Sequence, residues 1–358
     1  MRPIQRLSRQ EGFSMMELLV ALATMTIVTG CAFALIGGSL RFASATYHVT
    51  DAEETLRTGH EIINRDLTTA GDGLKGIGTI TVPKAFVQSY LTQTPIVDAS
   101  APNYVNLALV TSDDNVPSGT AVPQTTPAVN VLGTCDRITM LTQDYVGFPP
   151  VSLLAGKITQ SGSNTNIVVS ASDLARFQPG EIYAIATQNS AAFGVVSSIS
   201  TSTNTLTLAN GDVYGLNQTG SGTPIYTLVG ISSGVSTQAA SICRLQIIHY
   251  FANSNNLLIR RAFGVKGAGF TDSVVAEHVV NLQFRYMVNL TDPNGFVPQP
   301  KRSLASSQEQ LAVREVETTI AVDTVHAVNA VTNSSNGKQT LSTTTATTVR
   351  NLQFRNAL

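Results

Sequence analysis

The sequence predicts an α+β fold: a long N-terminal α-helix, part membrane segment and part amphipathic, packed on an antiparallel β-sheet domain with an inserted small β subdomain. Three observations predict it. Leu18 to Ile36 is a stretch of nineteen residues without a charge, about the length that crosses a bilayer. From Ser39 to Thr69 the chain has no proline, and apolar residues recur at helical spacing. Beyond Gly78 short alternating segments separated by Gly, Asn, Ser and Pro take over, the pattern of strands and turns.

Residues 1–12, MRPIQRLSRQEG, carry Arg2, Arg6 and Arg9 and no apolar run. Positive charge before an apolar helix holds that end in the cytoplasm and sends the following chain outward. Residues 13–38 form the membrane segment. A secretory signal cleaved after its apolar region is the competing reading, with Ala32, Ala34, Gly37 and Gly38 as small residues near a cut. At the threshold of the segment stands a lone carboxylate, Glu17. An acid in the membrane costs roughly 2.5 to 3.5 kcal/mol at mid-depth, so Glu17 either has a partner or rests at the headgroups.

Residues 39–73 continue the helix. Ala52, Leu56, Ile63, Leu67 and Ala70 make an inner stripe for a sheet, and Arg57, Glu61 and Arg65 face water. From Ser14 to Thr69 the helix would run about 84 Å at 1.5 Å per residue. Gly71 and Gly73 end it, while Gly30, Gly37 and Gly38 are points where it can kink.

The β-rich remainder, residues 74–358, has its clearest strand where Val280, Leu282, Phe284, Tyr286 and Val288 alternate with Asn281, Gln283 and Arg285. Arg137 to Leu141, Arg244 to Tyr250, Leu257 to Arg261, Val316 to Val322 and Thr343 to Phe354 are further strands. Residues 158–229 read as the small barrel-like insertion, with NIVVSA, GEIYAIAT, FGVVSSIS, NTLTLAN and PIYTLV as its strands and Gln178-Pro179-Gly180-Glu181 as a turn. Gly230 to Ala240 and the Asn/Ser/Thr-rich 327–348 read as loops or edges.

Lys plus Arg is 22 and Asp plus Glu is 23, so no electrostatic case exists for nucleic acid. Charged residues are 13% of the chain, about half the usual share of roughly 25%, which suits strands and turns outside the cytoplasm. Of the three cysteines, Cys31 lies in the apolar run. Cys135 and Cys243 lie in strand-like surroundings, where they either pair in an oxidising periplasm or stay as separate buried thiols.

Motifs that suggest catalysis sit in the wrong context. Gly71 to Gly76 matches GxGxxG but follows a helix and leads to a strand, the reverse of a dinucleotide site. Gly230-Ile231-Ser232-Ser233-Gly234 matches a nucleophile elbow without a helix after Ser232. The five histidines show no metal-binding spacing, and Asp292-Pro293-Asn294-Gly295 is a turn without a calcium loop's later acid. No cofactor, metal or catalytic residue is expected.

The junction Gly12-Phe13-Ser14-Met15-Met16-Glu17-Leu18 resembles the class III signal of type IV prepilins and pseudopilins: a short basic leader ending in Gly, then Phe, with Glu fifth in the mature chain. The resemblance covers about twenty-five residues. It implies cleavage by prepilin peptidase between Gly12 and Phe13, N-methylation of Phe13, and a role for Glu17 in subunit assembly. It also implies as partners the peptidase, other minor and major pilins through the helix, and the inner-membrane assembly platform. Arg65-Asp66-Leu67 with Ala70-Gly71, the chain's length, and Arg350-Asn351 resemble PilW-like minor pilins of type IV pili. A large minor pseudopilin of a type II secretion system is the alternative within the class, and a membrane-anchored periplasmic hydrolase or binding protein the alternative outside it.

Overall fold

The computed structural model describes residues 12, 14–71, 79–91, 103–143, 148–188, 190–218, 220–264, 269–289, 299–304, 306–328 and 337–349. The chain divides into two units, Met1–Asp51 with Thr324–Gln339, and Ala52–Asp323 with Thr340–Leu358.

No proline cuts the i→i−4 ladder after the leader, and helix α1 (Met15–Thr69) accordingly runs unbroken for 55 residues, through Gly30, Gly37 and Gly38. In the first unit it is joined by residues 324–328 and 337–339. There the Thr324 N–H donates to the Gln339 carbonyl at 2.9 Å and the Val328 N–H to that of Gly337 at 2.7 Å. The His326 ring meets His48 edge-on at 4.9 Å between centroids.

In the second unit α1 buries the predicted stripe, Ala52, Leu56, Ile63 and Leu67, followed by Ala70 just past its end. Arg57, Glu61 and Arg65 are exposed, as the spacing requires. Gly71 stops the helix at φ +74°, a left-handed conformation that favours glycine. Its N–H donates to the Leu141 carbonyl at 2.7 Å. Residues 72–76, the rest of the GxGxxG match, lie outside the described residues.

After α1 the chain forms β1 (Thr79–Pro83), β2 (Tyr104–Ala108), β3 (Val110–Asp113), β4 (Arg137–Gln143) and β5 (Val151–Leu153). It leaves the main sheet for β6 (Ile158–Ser161) and β7 (Asn164–Val168), returns in β8 (Ile182–Ala186) and β9 (Ala191–Val195), and leaves again in β10 (Ser198–Ser200) and β11 (Thr205–Ala209). Then come β12 (Ile231–Ser232), β13 (Val235–Ser236), β14 (Ala240–Ala252), β15 (Leu258–Phe263), β16 (Phe270–Ala276), β17 (Val279–Val288), β18 (Gln299–Lys301), β19 (Val313–Asp323) and β20 (Thr340–Thr348).

The main sheet has ten strands, ordered β16-β15-β14-β8-β9-β1-β2, with β3, β4 and β5 joined through β4 and β14. Its pairs are antiparallel except β1 with β9. A six-stranded sheet, β10-β11-β7-β6-β13-β12, and a four-stranded one, β18-β17-β19-β20, complete the fold. The α+β class with a long helix on antiparallel sheets and a small inserted β unit is thus what the chain adopts.

The insertion differs from 158–229 in three ways. Strands β8 and β9 fall inside that range but pair with β14 and β1 in the main sheet, where both their faces are buried. Ile182, Ala184 and Phe193 face the core shared with α1, and Tyr183, Ile185 and Ala192 face the core of the small sheet. The small sheet also takes β12 and β13, from the segment read as loop, while PIYTLV forms a short helix, Pro224–Leu228, started by proline at its first position.

In β17 the alternation holds from Leu282 to Val288, but Val279 is buried where Val280 was expected. A register shift between Val279 and Asn281 against β19 accounts for it: an irregular extra residue reverses which face a side chain takes. The terminal strand begins at Thr340. Residues 350–358 and the turn at 292–295 lie outside the described residues.

Candidate functional site

The site the sequence points to is α1 itself. Gly12 is exposed, with nothing within 4 Å of an added Cβ, and Phe13 lies outside the described residues. Ser14 and Glu17 hold each other. The Ser14 N–H donates to Glu17 Oε2 at 2.9 Å and the Glu17 N–H donates to Ser14 Oγ at 3.2 Å. This reciprocal pair is a capping box, which satisfies two of the amides that a helix start leaves without intrahelical acceptors. The capping role it gives Glu17 was legible in the spacing Ser14-Met15-Met16-Glu17, the signature of a capping box.

From Leu18 to Ile36 the helix is apolar on all sides, and the exposed residues include Leu18, Leu19, Leu22, Met25, Ile27, Phe33 and Ile36. It is long and apolar enough to cross a membrane, and none of its most apolar window is buried. A helix apolar all round needs lipid or partner helices. Its hydroxyls are consistent with that: Thr24 donates to the Val20 carbonyl at 3.0 Å, Thr26 to Leu22 at 2.6 Å and Thr29 to Met25 at 2.7 Å. Each of these threonines returns its proton to the preceding turn, so none of the three hydroxyls is left unpaired in an apolar medium.

The far end of α1 is locked into the second unit. Asp66, of the Arg-Asp-Leu run, is buried, and its Oδ2 accepts from the Tyr250 hydroxyl at 2.7 Å and from Arg260 Nε at 2.5 Å. Burial opposes the Arg260 charge, yet the Asp66 hydrogen bond and charge outweigh it and hold its pKa above the usual value. Burial, with the Asp66 charge second, raises Tyr250. Leu67 and Ile63 fill the core beside this clamp.

A second polar contact ties α1 to β20. One ring nitrogen of His60, Nε2, lies 3.1 Å from the Thr343 carbonyl, and Nδ1 lies 2.8 Å from Thr345 Oγ1. Asn64 Oδ1 accepts from Thr345 at 3.3 Å and Thr347 at 2.6 Å. The periods match: four helical residues rise about 6 Å and two strand residues about 6.6 Å. Burial lowers the His60 pKa, against the Thr343 carbonyl, so the ring is neutral at neutral pH.

The two remaining candidates are not brought together. Cys135 and Cys243 are free, buried thiols, which corrects the possible disulfide. Ile138 pairs with Tyr250 and the Leu132 N–H with the Ala252 carbonyl, so Cys135 lies level with the Ala252 end of β14. Cys243 pairs with Ala184 near the other end. The intervening stretch of β14 spans about 30 Å at roughly 3.3 Å per residue, far beyond the Cα reach of a disulfide. Burial pushes the thiols up to about 11 and about 12. Ser232, of the elbow-like motif, sits in the β12–β13 hairpin, where it pairs with Val235 across a turn at Ser233 (φ +49°) and Gly234 (φ +78°).

The chain matches no protein-family model, no curated protein and no solved structure.

Proposed function

We propose that this chain is the precursor of a non-catalytic, PilW-like minor pilin. The leader is cut after Gly12 by prepilin peptidase, Phe13 becomes the N-methylated first residue, and α1 holds the subunit in the bacterial inner membrane with its β-rich part in the periplasm. The helix then carries it into a type IV pilus, beside other minor and major pilins, where it helps to initiate or cap assembly. The observation that supports this reading best is the pairing of that junction with a bare helix. The apolar half of α1 is exposed around its circumference, its acid stands in the first turn, and its C-terminal half is pinned to a sheet. A simple anchor needs the apolar run alone. A helix destined for a bundle of like helices needs a charge at its start to meet the new ammonium of a neighbour.

Mass spectrometry of the mature N-terminus tests it. N-methylated Phe13 is expected, with Gly12→Leu leaving the precursor uncut. A mature start near residue 39 would show an ordinary secretory signal and overturn the proposal.

A further inference from the structure

An open cleft of about 540 Å³ lies where the insertion meets the main sheet, within the range of roughly 300 to 1,000 Å³ usual for small-molecule sites. Its floor follows from strand alternation. In β1 and β2, Ile80, Val82, Val105 and Leu107 turn into the core shared with α1. The alternate residues Thr81, Tyr104 and Asn106 line the cleft, and the helix Pro224–Leu228 and Gln238 contribute the facing wall. Gln188 and Ser190, between β8 and β9, line it as well.

The chemistry of these walls is selective. Among the described residues no Asp, Glu, Lys, Arg or His lines the cleft, so a charged ligand would shed water without meeting a counter-charge from them. An apolar ligand would strand the amides. Thr81 donates to Asn106 Oδ1 at 3.1 Å, which orients the amide and leaves its NH2 group to donate elsewhere. Side-chain amides each offer donors and an acceptor, and hydroxyls offer both, a set that matches the vicinal hydroxyls of a sugar. Tyr104 adds an aromatic face, electron-rich at its centre, for the C–H side of a pyranose ring. An added peptide strand is a poorer fit, because the helix Ser307–Leu311 packs beside β2 and β3.

We propose that this cleft binds an uncharged saccharide. Saturation-transfer NMR on the full-length chain tests it, in a detergent without a sugar headgroup so that micelles do not compete. Probes are lactose, maltotriose and N,N′-diacetylchitobiose, with 3′-sialyllactose as a charged comparison. Transfer to at least one neutral probe is expected, weakened about tenfold in affinity by Tyr104→Ala and measurably by Gln238→Ala. Gln188 and Gln238 are exposed, so Gln188→Ala and Gln238→Ala keep the fold and serve if Tyr104→Ala does not. No transfer to any neutral probe, transfer only to the sialylated one, or transfer unchanged by all the variants that fold would overturn the proposal.

Discussion

Replacing Asp66 with alanine tests whether α1 is clamped by charge as well as by apolar packing. The Asp66 side chain is 7% exposed and that of Arg260 20%, so the variant strands a largely buried guanidinium and a buried phenol. Removing one partner of such a pair costs roughly 3 to 5 kcal/mol. Some of this returns: Arg260 can regain water through its exposed fifth, and alanine is the better helix former by about 0.6 kcal/mol. A net loss of about 2 to 4 kcal/mol follows, and at roughly 2 to 4 °C per kcal/mol for a domain of this size the midpoint should fall by about 5 to 15 °C. The chain has no tryptophan, so thermal and urea unfolding of the full-length protein in micelles is best followed by circular dichroism. Asp66→Leu combined with Tyr250→Phe and Arg260→Met should recover most of the loss, because no charge then remains unpaired. A loss under about 0.5 kcal/mol, the size of an ordinary surface change, would refute the clamp.

Glu17 has a capping role and a proposed assembly role, and Glu17→Gln separates them. The amide still accepts the Ser14 N–H, so the helix start should hold while filament entry fails; Ser14→Ala should do the reverse, and normal pilus counts with Glu17→Gln would remove the charge argument. Cys135 and Cys243 should resist alkylation in the native protein and react on unfolding, with no cross-linked peptide in a non-reducing map. Burial, against the Asn115 and Phe284 N–H groups that it accepts, raises the Asp136 carboxyl from 3.8 to about 6. The folded state therefore binds the extra proton between those values, and stability should fall by up to about 3 kcal/mol as pH rises from 4 to 6 and then level off. Urea midpoints across that range should show this slope, and Asp136→Asn should flatten it.

What was legible in the sequence was whatever depends on a local period. The stripe Ala52 to Ala70 and the faces of β17 and β19 follow from spacing alone. What was not legible depends on pairing. Strands β8 and β9 carry apolar residues on both faces, and such strands read alike whether they lie in an insertion or between two cores. The single-residue shift at Val280 has no composition signal, and neither does the strand register that holds Cys135 and Cys243 apart. Asp66 stood in a recognised run, but its partners on β14 and β15 lie almost two hundred residues away.

Under the proposed filament role, the matched rise of α1 and β20 bears on how a subunit would carry load. Tension drawn along α1 reaches the β-domain through His60, Asn64 and Asp66, whose bonds to Thr343, Thr345, Thr347, Tyr250 and Arg260 are distributed along the helix axis. Bonds spread along the direction of pull are strained together, and force is shared among them. Such a joint resists sliding along the helix axis, where a hinged joint would peel open one contact after another.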